Sequence, residues 1–169
     1  MIINGIDLAG LAHTSPAQYP DVVKRRVAHI DADFLAYQTS YEKEDDPKTW
    51  EDMKHKAEIA AKHIQSMCGA EYLHLHLTPA TSNKGGRFDQ AIQKPYQGNR
   101  VDKPKPRYLH MMREWFAQRF PATLHQHCEA DDGMSSAQYA AIREGNQGLS
   151  IIATKDKDLN MVPGLQIIS

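Results

Sequence analysis

Short apolar runs of strand length alternate along this chain with stretches of helical period, and that alternation leaves few architectures open. RVAHID ends at Asp31, EYLHLHL covers 71–77, a third run goes from Ala122 to His127, and LSIIA closes at Ala153. Between the first two, Trp50, Met53, Ala57, Ala60, Ile64 and Met67 recur at helical spacing behind a Thr49/Asp52 capping pair,. Tyr108, Met111, Met112, Trp115 and Phe116 mark another helix ending near Phe120 and Pro121,. A third starts near Asp131, carries Met134, Ala137 and Ala141 inward and stops around Gly145,. A shorter helix near Asp33 is broken by the charged run EKEDDPK,. Strand–helix alternation predicts an α/β domain with a mostly parallel sheet. EYLHLHL alternates strictly, so Leu73, Leu75 and Leu77 share one face and Tyr72, His74 and His76 the other,.

A chain of 169 residues suits one such domain,. Residues 1–24 mix isolated apolar residues with Gly and Pro and read as an irregular extension, which leaves 25–169 as the folded unit,. The formal net charge is −1, yet 84–113 holds eight Lys/Arg against Asp89 and Asp102, so basic charge is local,. Two cysteines without metal-type spacing, no membrane-length apolar stretch and no signal-peptide pattern make cytoplasm the expected location,. The polar segment from Thr78 to Pro106 is too long for a simple connection, and such loops usually carry function,.

Acids cluster where strands end. Asp31 closes the first run, Glu129, Asp131 and Asp132 follow the third, and Asp156 and Asp158 follow the last. Ligands of open parallel sheets gather outside the carboxyl ends of the strands, which would bring these distant segments together. Hard divalent cations take such oxygen donors, and Mg²⁺ combines a few carboxylates with substrate phosphates. Acids in a first helical turn also complement the helix dipole, so each motif alone reads equally as a cap or a solvated turn. Three coincidences favour a site for Mg²⁺ or Mn²⁺, with two ions holding the attacking and leaving oxygens of a phosphodiester. A zinc alternative would draw on His74 with His76 or His125 with His127, but neither pair has a matching third ligand,. In the basic loop, Arg87, Lys94, Tyr96, Gln97 and Arg100 mix cations with an aromatic, a combination that grips phosphates and stacks on bases,. Arg100 has the planar fork for bidentate phosphate contact.

HIDADFLAY, RF, PYQGNR, CEADD and TKDKDLNMVPG, in that order, resemble the phage 5′→3′ exonucleases, which are similar to the nuclease domain of bacterial DNA polymerase I and to flap endonucleases. The resemblance runs from about Val27 to the end. It implies a PIN-like three-layer fold and a Mg²⁺-dependent nuclease acting on 5′ ends or flaps of DNA, in the cytoplasm of a phage-infected bacterium. By position, Asp31, Glu129, Asp131, Asp132, Asp156 and Asp158 match the family's metal-site acids, and Tyr96 and Arg100 its substrate-gripping loop.

Three departures accompany the match. Gln97 stands where the family usually has lysine, with Lys94 as a substitute cation. Thr78 and Pro79 stand where many relatives carry an acid. The helix-hairpin-helix region that follows in the family is absent from these residues, which points to a fragment, a reduced domain, or a partner chain that supplies it. A PIN-type ribonuclease acting on RNA is the second enzymatic reading. A catalytically weak nucleic-acid-binding remnant is the third.

Overall fold

The computed structural model describes residues 2–3, 6–7, 19–43, 45–86 and 105–168. Ile2–Ile3 (β1) and Ile6–Asp7 (β2) pair antiparallel, a short hairpin where the sequence reads as irregular. The main sheet contains Val23–Asp31 (β3), Ala70–Leu77 (β4), Ala122–Leu124 (β5), Ser150–Thr154 (β6) and Leu165–Ile168 (β7), in the order β5-β4-β3-β6-β7. Every pairing in it is parallel. The four helices among the described residues are Ala32–Ser40 (α1), Trp50–Met67 (α2), Leu109–Arg119 (α3) and Ala130–Arg143 (α4). This is the α/β architecture the alternation predicts.

Two helices of the expected set begin as their sequences dictate. The Thr49 hydroxyl accepts the Asp52 N–H at 3.2 Å while the Asp52 carboxylate takes the Thr49 N–H at 3.0 Å, so both ends of the capping pair are satisfied,. Asp31 caps α1 by accepting the Phe34 N–H at 3.0 Å,. Helix α2 ends at Gly69, whose φ of 53° suits glycine, and an added Cβ there would lie 2.7 Å from the Asp21 carbonyl oxygen,. That close approach lets the chain turn straight into β4.

The strand faces divide the core. Ala28 and Ile30 of β3, Leu73, Leu75 and Leu77 of β4, and Ile151 and Ala153 of β6 pack with Leu35 of α1, Met53 and Ala57 of α2, and Met112 and Phe116 of α3. On the other face, Met134 of α4 packs with Ile152, Leu159 and Val162. Each fully buried aliphatic or aromatic side chain contributes about 1.5–3 kcal/mol, so the first face supplies most of the stability.

Several boundaries differ from the sequence reading. Strand β3 starts at Val23 rather than Arg26, and its pairing with β4 shifts register between Val23 and Val27, where Arg25 has a φ of 67° and its N–H reaches the Glu71 carboxylate,. Strand β5 stops at Leu124 rather than His127, because the chain is redirected: the Gln126 carbonyl accepts the Asn83 N–H and the Cys128 carbonyl accepts the Ser82 hydroxyl. Strand β7 has no counterpart in the sequence reading. In α2 the buried alanines are Ala57 and Ala61, with Ala60 only partly buried.

Candidate active site

The strand order reverses between β3 and β6. From β3 the chain steps outward through β4 to β5, then returns through α4 to β6 on the other side of β3. In open parallel sheets this reversal opens a crevice at the carboxyl ends of the two strands. Asp31 is the last residue of β3, Asp156 lies two residues beyond β6, and α4 begins just after Glu129.

Asp31 carries the clearest electrostatic signature. Burial, together with the charges of Asp33 and Asp131, raises its carboxyl from 3.8 to about 6, against the lowering effect of N–H donation from Phe34 and Asp33,. The fold therefore brings Asp31, Asp33 and Asp131 within electrostatic reach, although they come from segments about a hundred residues apart. His125 also senses Asp33, Asp131 and Asp132. Asp132 takes the Glu129 N–H at 3.1 Å, and Asp131 takes the Asp132 N–H at 2.8 Å, so the first turn of α4 is organised by its own acids. Asp156 accepts the Asp158 N–H at 3.0 Å, and both residues are exposed on a turn of 3₁₀ helix at Lys157–Met161. Capping thus occupies part of the acceptor capacity of Asp31, Asp132 and Asp156. A carboxylate has about four lone-pair sites, so one N–H bond does not exhaust it.

Among the described residues, no group of three or more His, Cys, Asp or Glu is arranged to hold a metal ion. The donor chemistry nevertheless fits a hard cation: the groups are carboxylates, and Asp31, raised first by desolvation and then by the charges of Asp33 and Asp131, would be favoured in its charged form by a nearby positive charge,.

Three contributors escaped the sequence reading. Asp33 accepts the Thr78 N–H at 2.9 Å and pairs with Arg113 of α3, which also donates to the Thr78 carbonyl. The Thr78 hydroxyl in turn accepts the Ala130 N–H at 2.9 Å. Thr78, at the position where an acid was missed, thereby ties the starts of α1 and α4 and the middle of α3 to the end of β4. The available signal was the DAD spacing and an arginine in the helix after the basic loop; the partner 80 residues away was not readable.

The third is a row of imidazoles on the face under α4. His29 Nδ1 lies 3.0 Å from His76 Nε2, and His76 Nδ1 lies 2.9 Å from His125 Nε2. His125 Nδ1 sits 3.6 Å from Cys128 Sγ. Burial and the neighbouring imidazoles lower His29 to about 4 and His76 to about 2, so these two are neutral near pH 7, and burial lowers His125 as well,. Because His76 gives its two nitrogens to different neighbours, these rings form a chain and do not converge on one point as a zinc site requires,. His74 bonds Thr123 instead, at 2.8 Å. Gly133 makes room for the row: a Cβ there would fall 2.1 Å from His125 Cε1.

The loop residues Arg87, Lys94, Tyr96, Gln97 and Arg100 lie outside the described residues. No described helix is long and apolar enough to cross a membrane.

No family model matches the chain, and no curated protein does either. Among solved structures, it is similar to the bacteriophage T5 flap endonuclease in a pseudo-enzyme–product complex with DNA and metal ions, with a TM-score of 0.50 and 13% identity over 79% of this chain. The match spans 50% of that protein, so this chain corresponds to about half its length. At that identity the likeness is one of fold, and it agrees with a PIN-like α/β domain.

Proposed function

We propose that this chain is a metal-dependent phosphodiester hydrolase acting on DNA with 5′ ends or flaps, as a 5′→3′ exonuclease or flap endonuclease. The observation that carries the reading is the half-buried position of Asp31 at the β3/β6 switch point, within electrostatic reach of Asp33 and Asp131,. Fold similarity to a flap endonuclease supports it. On this reading residues 25–169 are the nuclease domain and 1–24 an extension.

Asp31, Glu129, Asp131, Asp132, Asp156 and Asp158 would hold Mg²⁺ or Mn²⁺, with two ions as the family resemblance implies. When bound, such ions supply Lewis acidity and lower the pKa of a coordinated water. The chain's own residues do the rest. Asp33, clamped by Arg113 and the Thr78 N–H, fixes the start of α1 and so orients Asp31. Thr78 fixes the start of α4, which sets Asp131 and Asp132. Arg87, Lys94, Tyr96, Gln97 and Arg100 would grip the strand, with Arg100 on a phosphate and Tyr96 against a base.

Cleavage of 5′-flap DNA, duplex DNA and single-stranded RNA with Mg²⁺ or Mn²⁺ tests this. Flap cleavage that disappears with chelator and in Asp31→Asn is expected. Cleavage of RNA alone would replace it with the ribonuclease reading, and no cleavage of any substrate would leave the binding remnant.

A further inference from the structure

We propose that Lys155, seated over the ring of Phe34, is a substrate-phosphate ligand at the mouth of the carboxyl-edge crevice. The inference rests on the reading that this crevice admits nucleic acid, and it adds a cation from outside the basic loop.

Lys155 directly precedes Asp156 at the end of β6, and its Nζ lies 5.4 Å from the centroid of Phe34. Phe34 is in the first turn of α1, and its N–H is held by the Asp31 carboxylate. The lysine therefore spans the two strand ends that flank the switch point. Its backbone is fixed on both sides: Thr154 is buried, and its hydroxyl accepts the Asp156 N–H at 3.0 Å.

The ammonium makes no salt bridge with a carboxylate among the described residues. Asp156 instead turns an oxygen to the Asp158 N–H. A lysine ammonium has three N–H donors, so turning one toward the aromatic face leaves others for an incoming anion. Phe34 is 36% exposed, so its ring face is open to the lysine. The ring thus holds a flexible lysine in place without neutralising it.

The chemistry favours such a group. A phosphodiester entering a crevice lined with carboxylates meets repulsion, and charge on its non-bridging oxygens must be met by fixed donors during displacement. Lysine serves as a compact point charge for phosphate. It forms and breaks no covalent bond in this role.

The experiment measures affinity for a 5′-phosphorylated single-stranded oligonucleotide in chelator between about 50 and 200 mM salt, where each phosphate contact contributes about 0.7 to the log–log slope. Lys155→Met, which keeps the stem, should weaken binding about fivefold and flatten the slope by about 0.7, and Lys155→Arg should restore both. Lys62→Met, at an exposed lysine paired with Glu58, should change neither. Unchanged affinity and slope in Lys155→Met, an equal loss in Lys62→Met, or a wild-type chain that does not bind the oligonucleotide would each overturn the proposal. Flap cleavage by the same proteins is scored separately: a wild-type chain that binds but never cleaves defeats the hydrolase reading, while the slopes still decide the role of Lys155.

Discussion

The two faces of the sheet are built on opposite principles. One is closed by α1, α2 and α3 over an aliphatic and aromatic core that includes Phe116, Leu75 and Ile30, all at most 1% exposed. The other is covered by α4, and its β3 and β4 positions are His29, His74 and His76 in place of leucines. The first face gains its stability from burial, which is insensitive to pH. On the second, order depends on keeping imidazoles neutral and hydrogen-bonded, and the acids of the crevice border it through His125. Strict alternation in EYLHLHL records this division, since a strand buried in apolar contacts on both sides would read as a continuous apolar run.

The sharpest break between the faces should come from Phe116→Ala. Removing a fully buried ring from the closed face costs about 3–5 kcal/mol, read as a lower urea midpoint at unchanged slope. A loss below about 1 kcal/mol would mean that the face is loosely packed.

The crevice should respond with the opposite sign. Asp31 has its folded-state carboxyl raised from 3.8 to about 6, so its contribution to stability is full below about pH 4 and is lost as pH rises through about 6,. Asn still caps a helix. Asp31→Asn should therefore stabilise the metal-free chain by about 1–3 kcal/mol at pH 7, with the gain vanishing near pH 4. The histidine row runs the other way. His29 and His76, lowered from 6.5 to about 4 and about 2, contribute fully above pH 6.5 and lose that contribution as pH falls,. With Asp31 replaced, denaturation curves should show stability declining steadily below pH 6.5; a flat profile would remove the row from the account.

The smallest expected effect is the most local. Gly133→Ala gains about 1 kcal/mol of helix propensity but drives a Cβ into the His125 ring. Overpacking and the lost His76 bond cost about 1–3 kcal/mol, so the substitution should destabilise the wild-type chain slightly. In a His125→Ala background it should stabilise. The same sign in both backgrounds would show that the ring does not rest on Gly133.

Much of the scaffold was legible because it is written in periodicity. Leu73, Leu75 and Leu77 announced β4 and its buried face, and Thr49 with Asp52 announced the start of α2. What was not legible depends on partners far along the chain. Gln138 lies among the apolar positions of α4 and is fully buried because Ser150 donates to it at 2.6 Å and it donates to the Leu165 carbonyl. β7 is four residues at a sheet edge, too short for a pattern. The acids at strand ends were visible as a group, but Asp31 and Asp33 look alike in sequence. Arg113, arriving from α3, and the Thr78 N–H at the end of β4 make Asp33 a clamp and leave Asp31 to the crevice.

The proposed hydrolysis requires these acids to share a divalent cation. A ligand that binds only the folded state raises the melting temperature with its concentration. Titrating Mn²⁺ into the wild-type chain at pH 7 should raise its melting temperature progressively, and the rise should disappear in Asp131→Asn combined with Asp156→Asn. An equal rise in that double variant, or no rise in the wild-type chain, would contradict the assignment of the crevice as a metal site.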